Sequence, residues 1–132
     1  MIESVVEEAT LTWLKTLGYS VRFGAEIAPG EPGAERSDYA QVLLDGRLRN
    51  ALAALNPDVP AAALDEALRI VTQPQHPSLI ANNRAFHRML VDGVEVECLR
   101  PDGSLAGDRV RLVDFEHPEA NDWLAVSQFT VV

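Results

Sequence analysis

Asp114 and Glu116 stand two residues apart in the run Val-Asp-Phe-Glu-His-Pro-Glu. On an extended strand residues i and i+2 point to one face, so carboxylates at this spacing could share a divalent cation through oxygen ligands. His117 and Glu119 follow closely and would enrich such a cluster. The same residues suit a plainer use, because carboxylates before a proline also solvate or cap a turn. A metal-dependent hydrolase using Asp114 and Glu116 is therefore one reading, set against a purely structural turn.

A second acidic position lies near the start of the chain. Glu7 falls between Leu11 and Leu14 on the helical projection, at the border of an apolar stripe, while Glu8 points further into solvent. A border carboxylate can lean into a cleft, but glutamates near a helix start are also favoured by capping and the macrodipole. His76, His87 and His117 show no i, i+4 pair of the kind a helical zinc site uses. The single cysteine, Cys98, sits in an alternating run and reads as core rather than nucleophile. Asn82-Asn83 reads as capping near a helix start, with a partner-binding amide pair as the alternative. The sequence contains no Gly-rich phosphate loop, no serine nucleophile elbow and no Cys-x-x-Cys.

The elements that must position these groups follow from periodicity. Val6, Ala9, Trp13 and Leu17 recur at helical spacing, Ser4 with Glu7 has the form of a capping box, and Gly18 ends the helix. Alternation over Tyr19 to Phe23 predicts a short strand. Residues 24–38, with two prolines and two glycines over Ala25 to Ser37, predict a mobile surface loop. Asp38 to Leu44 fits either a helix start or an extended piece. Leu48, Leu52 and Leu55 mark a helix that stops at Asn56-Pro57. Leu64, Leu68 and Val71 mark a second, broken by Pro74 and Pro77. Leu79, Phe86, Met89 and Leu90 mark a third, ending at Asp92-Gly93. Residues 39–92 thus form a helical cluster. Beyond it, Val94 to Leu99 alternates, Asp102-Gly103 suits a hairpin turn, and strands are expected over Arg109 to Phe115 and Trp123 to Val132. The expected class is α+β, with an antiparallel or mixed sheet packed against helices in a single domain.

Composition sets the limits. The chain has 132 residues, 47% of them hydrophobic, and 11 basic residues against 20 acidic ones, for a formal charge of −9. Phosphate contacts carry most non-specific affinity for nucleic acid, so a chain this acidic is a poor DNA binder by itself. One cysteine and an acidic N-terminus without a long apolar run fit a cytoplasmic protein.

Four stretches in order, Glu3 to Tyr19, Arg47 to Pro60, Ser78 to Glu97 and Arg109 to Val131, resemble the N-terminal nuclease region of the restriction (R) subunit of type I restriction-modification enzymes. The resemblance implies a restriction-endonuclease-like, PD-(D/E)xK fold, of which this chain would be a part. In that family an Asp and a Glu-x-Lys on adjacent strands hold Mg2+ for phosphodiester cleavage. The Asp follows shortly after the equivalent of Ser127 to Val131, so both motifs are expected beyond Val132. Asp114 and Glu116 match the segment before the catalytic strands and inherit neither role. The resemblance suggests Glu7, with Glu8 as alternative, for the carboxylate that such folds add from the first helix. It also implies an ATP-driven DNA translocase as parent, with Mg2+ and ATP as the parent's cofactors and modification and specificity subunits as partners. The chain alone is then expected to be silent, and to self-associate through the edge of its last strand. The competing reading is a stand-alone protein-interaction module.

Overall fold

The protein is described by a computed structural model covering residues 2–132. Those residues form two compact units: one runs to Gly46 and resumes over Asp122–Val132, and the other is Arg47–Asn121. The class is α+β, as expected. Each unit holds its own two-stranded sheet, one parallel and one antiparallel.

In the first unit, helix α1 spans Glu3–Thr16 and strand β1 Ser20–Phe23. Gly18, at φ 106°, closes α1: its N–H donates to the Lys15 carbonyl and that of Tyr19 to the Leu14 carbonyl. This is a Schellman ending, which needs a residue at ease with positive φ. The expected Ser4–Glu7 capping box does not form. Ile2 is the N-cap, without a side-chain cap bond, and Ser4 already lies inside the helix. That leaves the Glu7 carboxylate available for other partners.

β1 pairs in parallel with the last strand of the chain, Leu124–Ser127, in the register Ser20↔Leu124 to Phe23↔Ser127. Parallel strands require a long crossover, here residues 24–123. The pairing corrects two expectations: this strand ends at Ser127 rather than Val132, and it does not extend the sheet formed by the other strands. Tyr19 and Trp123 mark the entry of the pair with ring centroids 5.6 Å apart.

The loop 24–38 is also unlike the mobile surface segment expected. Ile27, Ala28 and Arg36 within it are buried. Residues 39–44, expected to open the helical cluster, form turns and bends with no helix. Asp38 accounts for this, since its Oδ1 accepts from the N–H groups of Ala40 and Gln41 and offers the backbone a local alternative to a helix.

The second unit contains α2 (Asp45–Leu55, whose first two residues belong to the other unit), α3 (Ala61–Thr72), α4 (Leu79–Asp92), β2 (Val94–Leu99) and β3 (Leu105–Val110). The strand Leu124–Ser127 is β4. β2 and β3 form the expected hairpin, with Gly103 at φ 87° in its turn. Val94, Val96 and Cys98 point inward along β2 and meet Leu52, Ala63, Ala67 and Val110 in one core. On α3 the fully buried positions are Ala63 and Ala67, whereas Leu64, Leu68 and Val71 pack around the rim. Small residues let helix and strand backbones approach, which leucine periodicity alone does not reveal. On α4, Met89 packs against the core, but Leu79 and Phe86 are exposed.

β3 ends where a strand over Arg109 to Phe115 was expected to begin. Asn56 is the reason. Buried at the end of α2, it accepts the Arg111 N–H at 2.7 Å and donates to the Arg111 carbonyl at 2.8 Å. Both backbone groups that would continue the ladder are consumed by one amide.

Candidate functional site

In the first unit α1 places Glu7, half-buried, against the C-terminal end of β4. Ser127 Oγ donates to Glu7 Oε1, and Gln128 Nε2 lies 3.3 Å from Oε1 and 3.2 Å from Oε2. Ser127 is buried and is the last residue of β4. Glu8, one residue on, is exposed. Of the two glutamates, Glu7 is thus the one whose carboxylate faces the sheet, at a contact 120 residues long in sequence.

The chain just past β4 is held with unusual care. The Arg36 guanidinium, 4% exposed, donates to the carbonyls of Thr130 at 2.6 Å, Gln41 at 3.2 Å and Tyr39 at 3.4 Å. Its carbon lies 4.0 Å from the centroid of the Phe129 ring, within cation–π range. The Val132 N–H donates to the Tyr39 carbonyl. Phe129 and Thr130 are therefore strapped to the loop by an arginine that periodicity could not single out. Nothing in the loop's composition marks Arg36. Ser127 and Gln128 were likewise legible only as part of a family-like segment.

The Asp114–Glu116 turn in the second unit does not assemble as a metal site. Asp114 Oδ1 accepts the N–H groups of Glu116 at 3.1 Å and His117 at 3.0 Å, while Oδ2 pairs with Arg111 at 3.2 Å. Asn121 completes the knot by accepting the Asp114 N–H and donating to its carbonyl. The backbone N–H of His117 holds the Asp114 carboxyl below its usual range against the opposing cost of desolvation; the Glu116 backbone N–H and Arg111 add to the lowering. The charge stabilises a turn. Glu116 and Glu119 are exposed, and among the described residues no group of three or more His, Cys, Asp or Glu is placed to hold a metal ion. The hydrolase reading based on Asp114 and Glu116 is corrected accordingly.

The remaining candidates have structural placements. Ser78, not the asparagine pair, caps α4 by accepting the Ala81 N–H. Asn82 instead exchanges two hydrogen bonds with the His76 backbone, pinning the approach to the helix, and Asn83 is exposed. His87 is exposed, and the ring of His117 lies 3.6 Å from Asp114. Cys98 belongs to the core wall beside the Arg100–Asp108 ion pair. An open groove of about 640 Å³ runs past Asn56, Val59, Leu90, Arg111 and Phe115 in this unit.

Comparison with known proteins places these features in context. The family model described as "Type I restriction enzyme R protein N terminus" matches residues 1–132. The "Type I restriction enzyme HindI endonuclease subunit" of Haemophilus influenzae is 35% identical over 129 residues, covering 98% of this chain and 12% of that protein. The "Putative type I restriction enzyme MjaIXP endonuclease subunit" of Methanocaldococcus jannaschii is 32% identical over 127 residues, covering 96% of this chain and 12% of that protein. The chain therefore spans about an eighth of the length of these relatives. No solved structure matches it.

Proposed function

The chain belongs to the family of type I restriction enzyme R protein N termini, and on that premise we propose that it forms the N-terminal part of the nuclease region of an R subunit. The intact enzyme would cleave unmodified double-stranded DNA in the cytoplasm, coupled to ATP-driven translocation, in a complex with modification and specificity subunits. The observation that carries this reading is the match along residues 1–132 together with two relatives named as endonuclease subunits. The formal charge of −9 supports a division of labour in which DNA is gripped mainly by other parts of the complex.

Within the chain, Glu7 is the carboxylate we place toward the nuclease cleft of a PD-(D/E)xK-like fold. Its support is positional: a first-helix carboxylate is held beside the end of β4 by two side chains. Both Glu7 oxygens already accept hydrogen bonds, and among the described residues no group of three or more His, Cys, Asp or Glu is placed to hold a metal ion. We assign Mg2+ and ATP to the intact enzyme and expect the isolated 132 residues to be silent toward DNA. What this chain supplies is a rigid placement for Glu7 and for the segment leaving β4.

The reading is tested in the full-length subunit assembled with its partners. Glu7→Gln should lower DNA cleavage by roughly 100-fold while ATP hydrolysis continues. Cleavage at the unaltered rate would show that Glu7 has no part in it.

A further inference from the structure

Gln128 is the sole non-glycine residue among those described with a positive φ, at 58°. That region is disfavoured for any residue carrying a Cβ, and such backbone persists only where surrounding structure imposes it. Here the surroundings are visible. Gly24 lies so close that a Cβ on it would overlap the Gln128 carbonyl, and its N–H donates to the Ser127 carbonyl at 2.7 Å. On the other side Arg36 holds the Thr130 carbonyl.

The conformation has a geometric result. Successive side chains of a strand point to opposite faces, so a regular continuation of β4 would send Ser127 and Gln128 in opposite directions. Instead both reach the same carboxylate, Ser127 through Oγ and Gln128 through Nε2. The left-handed residue breaks the alternation at the point where the second donor is needed.

We propose that Gln128 is a positioning residue for Glu7: its backbone is held in the left-handed region so that its amide, with the Ser127 hydroxyl, fixes the orientation of the Glu7 carboxylate. The proposal rests on the reading that Glu7 serves DNA cleavage. It separates function from fold in a direct way, because glycine adopts positive φ readily. Replacing Gln128 with glycine relieves the backbone while deleting the amide.

The experiment compares Gln128→Gly, Glu7→Gln and the double variant in the full-length subunit within its complex, reading DNA cleavage rate and the thermal unfolding midpoint. Gln128→Gly should slow cleavage roughly tenfold or more with the midpoint unchanged or raised, and the double variant should be no slower than Glu7→Gln alone. If Glu7→Gln falls below detection, loss of cleavage in Gln128→Gly at an undiminished midpoint decides in favour. Full cleavage by Gln128→Gly beside a crippled Glu7→Gln overturns the positioning role and spares the reading of Glu7. Full cleavage by Glu7→Gln removes that reading and the positioning role with it. Losses that multiply in the double variant, or a lowered midpoint in Gln128→Gly, assign Gln128 to the fold and overturn the proposal.

Discussion

Along β2 the chain buries Val94, Val96 and Cys98 by simple alternation, whereas the unit built from the two ends of the chain buries an arginine and a serine beside Ile27 and Ala28. The first pattern is a conventional apolar core, closed by Leu52, Ala63, Ala67 and Val110. The second relies on directional contacts between residues about a hundred positions apart: Arg36 to Thr130, Ser127 and Gln128 to Glu7, Gly24 to Ser127. Apolar packing is non-directional and tolerates modest repacking. Hydrogen bonds to buried charge demand fixed angles and leave costly orphans when broken. These directional contacts lie in the unit that carries Glu7, the residue we propose for the nuclease cleft.

The largest expected effect sharpens the apolar side of this contrast. Leu52 is 1% exposed at the centre of its core, so Leu52→Ala should cost about 3–5 kcal/mol in denaturant unfolding. A loss below about 1 kcal/mol would show that neighbouring side chains collapse into the space. Next comes the polar side. Arg36→Met keeps much of the volume but strips three carbonyls of their donor, and should cost about 2–3 kcal/mol; Arg36→Lys should recover only part, lacking the planar fork. An Arg36→Met variant as stable as the parent would break the comparison, since the strap would then be incidental.

The smallest effect concerns the Asp114 turn, which with Asn56 is a polar exception within the apolar unit. Its carboxyl is lowered by the His117 N–H, with help from the Glu116 N–H and Arg111. The folded chain therefore holds fewer protons than the unfolded one as pH drops through the ordinary carboxylate range. The resulting stabilisation is present in full above that range and is lost as pH falls through the lowered value. Asp114→Asn should flatten this acid limb of the stability profile while leaving the slope above pH 7 unchanged. An unaltered limb would mean that other carboxylates govern it.

Much of the architecture was legible in local patterns. The stop of α1 at Gly18, the helices through Leu52, Leu68 and Met89, and the hairpin at Asp102-Gly103 all follow from spacing and turn chemistry. Two of the errors share a cause. The strand expected past Val110 and the loop expected to be mobile were each decided by a distant partner, Asn56 and Thr130; the capping box expected at Ser4 and Glu7 fails locally, because Ser4 already lies inside the helix. The family was readable from four ordered stretches because such a resemblance sums over many residues at once.

By itself the sequence determined the α+β class, most element boundaries and the family, since helical and strand periods and turn residues act over a few neighbours. Only the tertiary structure decided that β4 runs parallel to β1, that Glu7 rather than Glu8 meets it, and that Arg36 and Gln128 hold the chain there. These choices depend on the register and angles of groups brought together by a crossover of residues 24–123. No short-range pattern encodes them, because the energy that selects them exists only once both ends of the chain are in place.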